Sequence, residues 1–178
     1  MRFSLAAVLL ALTLAGCTDQ PGIQRSADDP FLTSPAHMAY NVKVQLTDSA
    51  ATKAILQARL ATIDERSQTT TMKGSVVVDF YDRVGSSVEA RLTADSVVVN
   101  DRTKDMTALG NVRVESQVRR ITLTTTSLTW VHSTSRVRTE DPVHIETGSE
   151  TIDGVGLESN QDLSSYRLFQ VRGVRRNP

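Results

Sequence analysis

The chain has 178 residues, enough for one domain plus flanking segments, and its 20 Lys and Arg balance 20 Asp and Glu. That balance offers no basic excess to hold nucleic acid, and a single cysteine excludes an internal disulfide. With only 4% aromatic residues, any core is built chiefly from Val, Leu, Ile and Ala.

Residues 1–16, MRFSLAAVLLALTLAG, place one positive charge at Arg2 before a run of apolar and small residues. The run is too short for a permanent membrane span but has the length of a signal-peptide hydrophobic region. It ends in Leu14-Ala15-Gly16-Cys17, which resembles the lipobox of bacterial lipoproteins at every position. The resemblance implies acylation of Cys17 and an anchor on a membrane surface, since two or three acyl chains hold firmly where one does not. Residues 17–40 carry three of the five prolines and no sustained period, so they read as a tether. About 22 flexible residues would hold the domain on the order of 25 Å from its anchor.

From residue 41 to 178 the pattern is β throughout, because apolar residues alternate with polar ones at the period of a strand with one dry face. Between Val88 and Ile145 the pattern occurs twice, 31 residues apart: Leu92 falls on Leu123, Ser96 on Ser127, Val97 on Leu128, Val99 on Trp130, Val112 on Val143 and Val114 on Ile145. It extends backward at a spacing of 36, with Leu56 on Leu92, Ala61 on Val97, Gly74 on Gly110 and Val78 on Val114. A fourth, degraded copy begins near Ile152 and puts Leu157 in the place of Leu128. Within the copies the alternation switches parity, as from Ala94 to Val97 and from Leu123 to Leu128. A one-residue slip would turn every later side chain outward, so bulges are predicted at Asp95-Ser96 and Thr126-Ser127. Polar clusters mark turns at Asp64–Ser67, Asp82–Gly85, Asn100–Thr103, His132–Thr134 and Asn160–Asp162. Regular strands and turns with no sustained helical period predict a sandwich, jelly roll or open barrel.

Chemistry is sparse. His37 lies in the tether, His132 at a turn, and His144 shares a strand face with Glu146, a pair that reads as exposed polar decoration rather than a metal site. Neither a G-x-S-x-G elbow nor a phosphate loop occurs. Asp79, Glu89, Asp95 and Asp153 are spread one to a strand as a solvated face would spread them. The sequence therefore predicts no enzyme, no cofactor and no metal. The C-terminal strand, with Leu168, Phe169, Val171, Arg172, Gly173 and Val174, is either an edge whose arginines block aggregation or an edge kept open for a partner strand.

The lipoprotein signal, the tether, the run from Ala90 through Asp95 to Gly110-Asn111-Val112-Arg113-Val114, its echo at residues 123–130, and Gly154-Val155-Gly156-Leu157 together resemble the LptC family. Its members are membrane-anchored periplasmic components of lipopolysaccharide export, related to LptA/OstA-like domains. The resemblance implies an all-β, twisted antiparallel β-jellyroll over residues 41–178, with two sheets opening as a V around an apolar groove. It implies lipopolysaccharide as cargo, with acyl chains carried in the groove. It further implies docking on the permease subunits of the lipopolysaccharide-export ABC transporter, and handover to a periplasmic LptA-like jellyroll protein at the C-terminal edge. Placement at the periplasmic face of the inner membrane follows from the same likeness.

On the residues themselves, a groove lined by Val76, Val78, Leu92, Val97, Val99, Val112, Val114, Ile121, Leu123, Leu128, Trp130, Val143 and Ile145 would shield acyl chains at about 25 cal/mol per Å² of apolar surface. The same residues could simply fill a closed core. An outer-membrane structural or adhesive lipoprotein and a carrier of other lipids or lipoproteins are the competing readings.

Overall fold

Nine strands follow one another along residues 36–176, the portion that the computed structural model describes. The expected signal peptide, Cys17 and most of the tether lie outside the described residues. The strands are β1 (Ala36–Asp48), β2 (Ala51–Asp64), β3 (Thr69–Tyr81), β4 (Val88–Asn100), β5 (Met106–Ser116), β6 (Thr122–Val131), β7 (Arg136–Glu146), β8 (Glu150–Asn160) and β9 (Tyr166–Arg176). They form one antiparallel sheet in the order of the sequence, and β1 and β9 are its two unpaired edges. The predicted all-β class is the one observed. The four sequence copies are the four hairpins β2–β3, β4–β5, β6–β7 and β8–β9, and β1 stands before them.

Strands of 10 to 14 residues are longer than most, and the sheet accommodates them by bending along a line of register breaks that runs from β2 to β8. The ladder between β3 and β4 skips from Lys73↔Ser96 to Val76↔Ala94, and that between β4 and β5 from Thr93↔Arg113 to Ser96↔Leu109. Equivalent breaks fall at Leu109/Val112 on β5, Thr125/Thr129 on β6 and Thr139/Pro142 on β7. Both predicted bulges, at Asp95-Ser96 and Thr126-Ser127, lie on this line. On the even strands the bulge shifts parity once, so Ala94 and Val97 both point inward. On β3 and β5 two residues are absorbed, Gly74-Ser75 and Gly110-Asn111, and all four have positive φ between 46° and 84°. A left-handed pair is costly for residues with a Cβ, which is why glycine leads each one and Asn follows in one of them. A Cβ on Gly110 would stand 2.5 Å from Asp95 Oδ2.

Side chains brace the bend. Asn111 Nδ2 donates to Asp95 at 2.8 Å, and the hydroxyls of Thr126 and Ser127 donate to Asp141 at 2.6 and 2.7 Å. Those two hydroxyls hold the Asp141 carboxyl below the usual carboxylate range.

The bend gives two half-sheets that face each other. One holds the strand halves next to the turns after β1, β3, β5 and β7; the other holds the halves next to the turns after β2, β4, β6 and β8. Phe80 of the first meets Trp130 of the second with ring centroids 5.4 Å apart. Between the layers lie Leu56, Met72, Val76, Val78, Leu123, Leu128, Ile145 and Leu157, each 1% exposed or less.

β1 begins at Ala36, inside the stretch assigned to the tether. The pattern there is inverted, since Met38 and Tyr40 are exposed on the outer face while Asn41, at φ 51°, resets the parity before Val42. Backbone pairing with β2, from Ala36↔Asp64 to Tyr40↔Leu60, makes this segment a strand despite its pattern. His37, read as part of the tether, sits on β1 with its Nε2 3.5 Å from Glu65.

Candidate functional site

The candidate groove residues come from five strands, β3 to β7, and the loop before β6, and the fold brings them to the inner face of the sheet. Val76, Val78, Leu92, Val97, Val99, Val112, Val114, Leu123, Leu128, Trp130, Val143 and Ile145 are all 4% exposed or less. Ile121 is half-buried and packs against their margin. The expected trough is occupied along its middle by the chain's own side chains. Only about 10 Å³ remains between Val78, Phe80, Leu92, Val97, Met106, Ala108, Leu128 and Trp130. The reason is physical: Phe80, Met72 and Leu163, which the sequence reading left out, add bulk to a space that small residues such as Ala90 and Ala108 would otherwise leave empty.

Where the two margins of the bent sheet meet, the closure is polar. Gln161, in the turn between β8 and β9 and only 8% exposed, donates from Nε2 to the Tyr81 carbonyl at 2.7 Å and to Glu89 Oε2 at 3.2 Å. Its Oε1 accepts from the Trp130 indole at 3.2 Å. Leu163, two residues further on and 2% exposed, fits beneath with φ 57°. Outside this seam lies a polar cleft of about 460 Å³ between Asp48, Lys53, Asp82 and Arg83 on one margin and His132–Ser135 and Asp162 on the other. His132 stacks edge-on to Trp130 at 5.2 Å and its Nδ1 is buried without a partner.

The carboxylates read as a solvated face are more constrained than that. Asp79 is 7% exposed and is clamped by Arg91, whose Nε and Nη2 donate to its two oxygens at 2.7 and 3.1 Å. The carboxylate in turn raises the Arg91 pKa. His144 finds Asp153 rather than Glu146 as its closer partner: Nδ1 to Asp153 Oδ1 is 2.6 Å and Nε2 to Glu146 is 3.4 Å. Hydrogen bonding to Asp153 raises the His144 pKa against partial burial, and the same bond lowers that of Asp153. Arg175 approaches Asp153 at 3.6 Å. His144 and Asp153 border an outer-face hollow of about 570 Å³ that also involves Arg113, Thr124 and Arg172.

The C-terminal edge divides by face. Leu168 is half-buried against the core, and Phe169 lies on the outer side against Gly156, with the Arg167 guanidinium 5.6 Å from its ring centre. Val171 pairs with Gly154 and Val174 with Ile152, so both valines face inward, yet they remain 59% and 55% exposed. Gly173 pairs with Asp153, and Arg172 is the residue skipped at the β9 bulge. The inner face is thus apolar and uncovered at this end of the sheet.

Chemically, such an arrangement can shield apolar matter and accept a strand. Among the described residues there is no group of three or more His, Cys, Asp and Glu placed to hold a metal ion. No curated protein sequence matches the chain. In fold it is similar to the crystal structure of LptH, the LptA-homologous periplasmic component of the lipopolysaccharide transport device of Pseudomonas aeruginosa. That match has a TM-score of 0.52 at 16% identity and covers 70% of this chain and 94% of the other. The family of lipopolysaccharide-assembly, LptC-related proteins matches residues 3–175, nearly the whole sequence, and the chain belongs to that family.

Proposed function

We propose that this protein carries lipopolysaccharide through the periplasm by sheltering its acyl chains between the two half-sheets. It receives them from the permease subunits of the inner-membrane ABC transporter and passes them to an LptA-like jellyroll. The observation that carries the reading is the inner face itself. It is apolar from β2 to β9, closed along the middle, and bare at Val171 and Val174 beside an unpaired edge. Each acyl CH₂ removed from water contributes about 0.8 kcal/mol, so a continuous dry face is what the cargo requires. Acylation of Cys17 would keep the domain at the membrane where the cargo is released.

The unpaired edges suit assembly by strand addition. β9 offers eleven residues of backbone, enough for main-chain hydrogen bonds to give affinity while the two exposed valines give register. A photo-crosslinker at Val99 should capture lipopolysaccharide in cells and one at Arg113, on the outer face, should not. Equal labelling at the two positions defeats the reading. Capture of a phospholipid or a lipoprotein in its place would favour a carrier of another class.

A further inference from the structure

The closed interior and the seam that closes it are one arrangement. If acyl chains are to lie between the half-sheets, the 10 Å³ void must widen, and the margins are where the sheet is free to part. At that place the Gln161 side chain ties them. Gln161 belongs to the margin that carries the turns after β2, β4, β6 and β8, whereas Tyr81 and Glu89 belong to the opposite one, 80 and 72 residues away. The amide cannot be turned end for end without loss, because a carbonyl and a carboxylate only accept and an indole only donates.

Below the amide are Phe80, Trp130 and Leu163, the apolar contents of the mouth. Above it is the polar cleft between Asp82 and His132. We propose that Gln161 is a latch across the mouth of the apolar interior, and that an acyl chain passes between the half-sheets only after its bonds to Tyr81 and Glu89 have opened. This rests on the transport reading above and names what controls access to the same interior.

The latch is suited to repeated opening. Gln161 is neutral and its two donor bonds cost little to exchange for water in the adjoining cleft, whereas an ion pair there would be harder to separate once buried. Parting the margins takes Phe80 of the opposite half-sheet away from the Trp130 ring, which couples the ring's exposure to the latch. Trp130 is the only tryptophan in the sequence, so its fluorescence reports on the mouth.

The test compares the full-length chain with Gln161→Ala and Gln161→Glu, the latter placing a carboxylate against the acceptors Tyr81 O and Glu89. Acrylamide quenching of Trp130 should rise about twofold or more in each folded variant, and in cells a photo-crosslinker at Val99 should capture about threefold more lipopolysaccharide. Unchanged quenching in a variant that retains its β circular dichroism overturns the latch, whatever the lipid result. Increased quenching without any lipid captured in either background overturns the cargo reading. If Gln161→Ala does not fold, Glu89→Ala, which removes one acceptor and leaves the Tyr81 bond in place, should show the same change at smaller amplitude, and no change there overturns the proposal.

Discussion

Two side-chain pairs separate what is local in the sequence from what depends on register. His144 and Glu146 are visible together because they lie two apart on one strand, but Asp153 comes from β8, directly opposite His144 in the ladder. The turn at residues 147–149 carries no proline or doubled glycine, so the register that brings them together was not legible. The His144 pKa is raised in the folded chain, so its imidazolium stabilises the fold below the unfolded value near 6.5, and that contribution disappears as pH rises through the raised value. Both partners are more than a third exposed, so solvent screening keeps the effect small. Asp153→Asn should return the His144 midpoint toward 6.5 in an NMR titration; a midpoint that stays raised would assign the shift to Glu146. The clamp between Asp79 and Arg91 predicts an asymmetry. Arg91→Ala leaves a carboxylate with a side chain only 10% exposed and should cost about 1–3 kcal/mol in urea denaturation. Asp79→Ala leaves an arginine that is half in water, and should cost less.

Strands bend in two ways here, and only one writes itself into the hydrophobic pattern. On β2, β4, β6 and β8 one extra residue flips the parity, so the switch from Ala58 to Ala61 or from Ala94 to Val97 can be read directly. On β3 and β5 two extra residues restore the parity, and Met72 and Val76 remain in phase as though nothing had intervened. Gly74 and Gly110 are the only trace, and a glycine in a strand has several meanings. β1 hid its first five residues for a related reason, since Asn41 resets the phase. Gly110→Ala tests the bend: at φ 75°, with Asp95 in the space a Cβ would occupy, it should lower stability by about 1–3 kcal/mol. Gly148→Ala, at a position with open space around it, should be nearly neutral when both variants are compared by thermal melting.

Across the whole sheet, the repeat period, the strand count in the copies and the jellyroll family were readable, whereas the filling of the interior was not. Periodicity states which side chains face inward but not how far apart the two layers stand, and that distance is set by Phe80, Met72, Trp130 and Leu163 together. The edges test the assembly. Val171→Asp with Val174→Asp changes side chains that are already more than half exposed, so the thermal midpoint should move little, while association with a partner jellyroll in a pull-down should be lost. Retained association would place the contact elsewhere, with Met38 and Tyr40 on the β1 edge as the next surface to alter.

Because each described strand pairs in the sheet only with its neighbours in the sequence, the hairpin is a unit of length. Strands in a sheet stand about 4.8 Å apart, so duplicating one 31- or 36-residue copy would lengthen the sheet by about 10 Å and leave both edge strands unchanged. Such a sheet can thus be made longer or shorter by counting hairpins, without redesigning either of its edge strands.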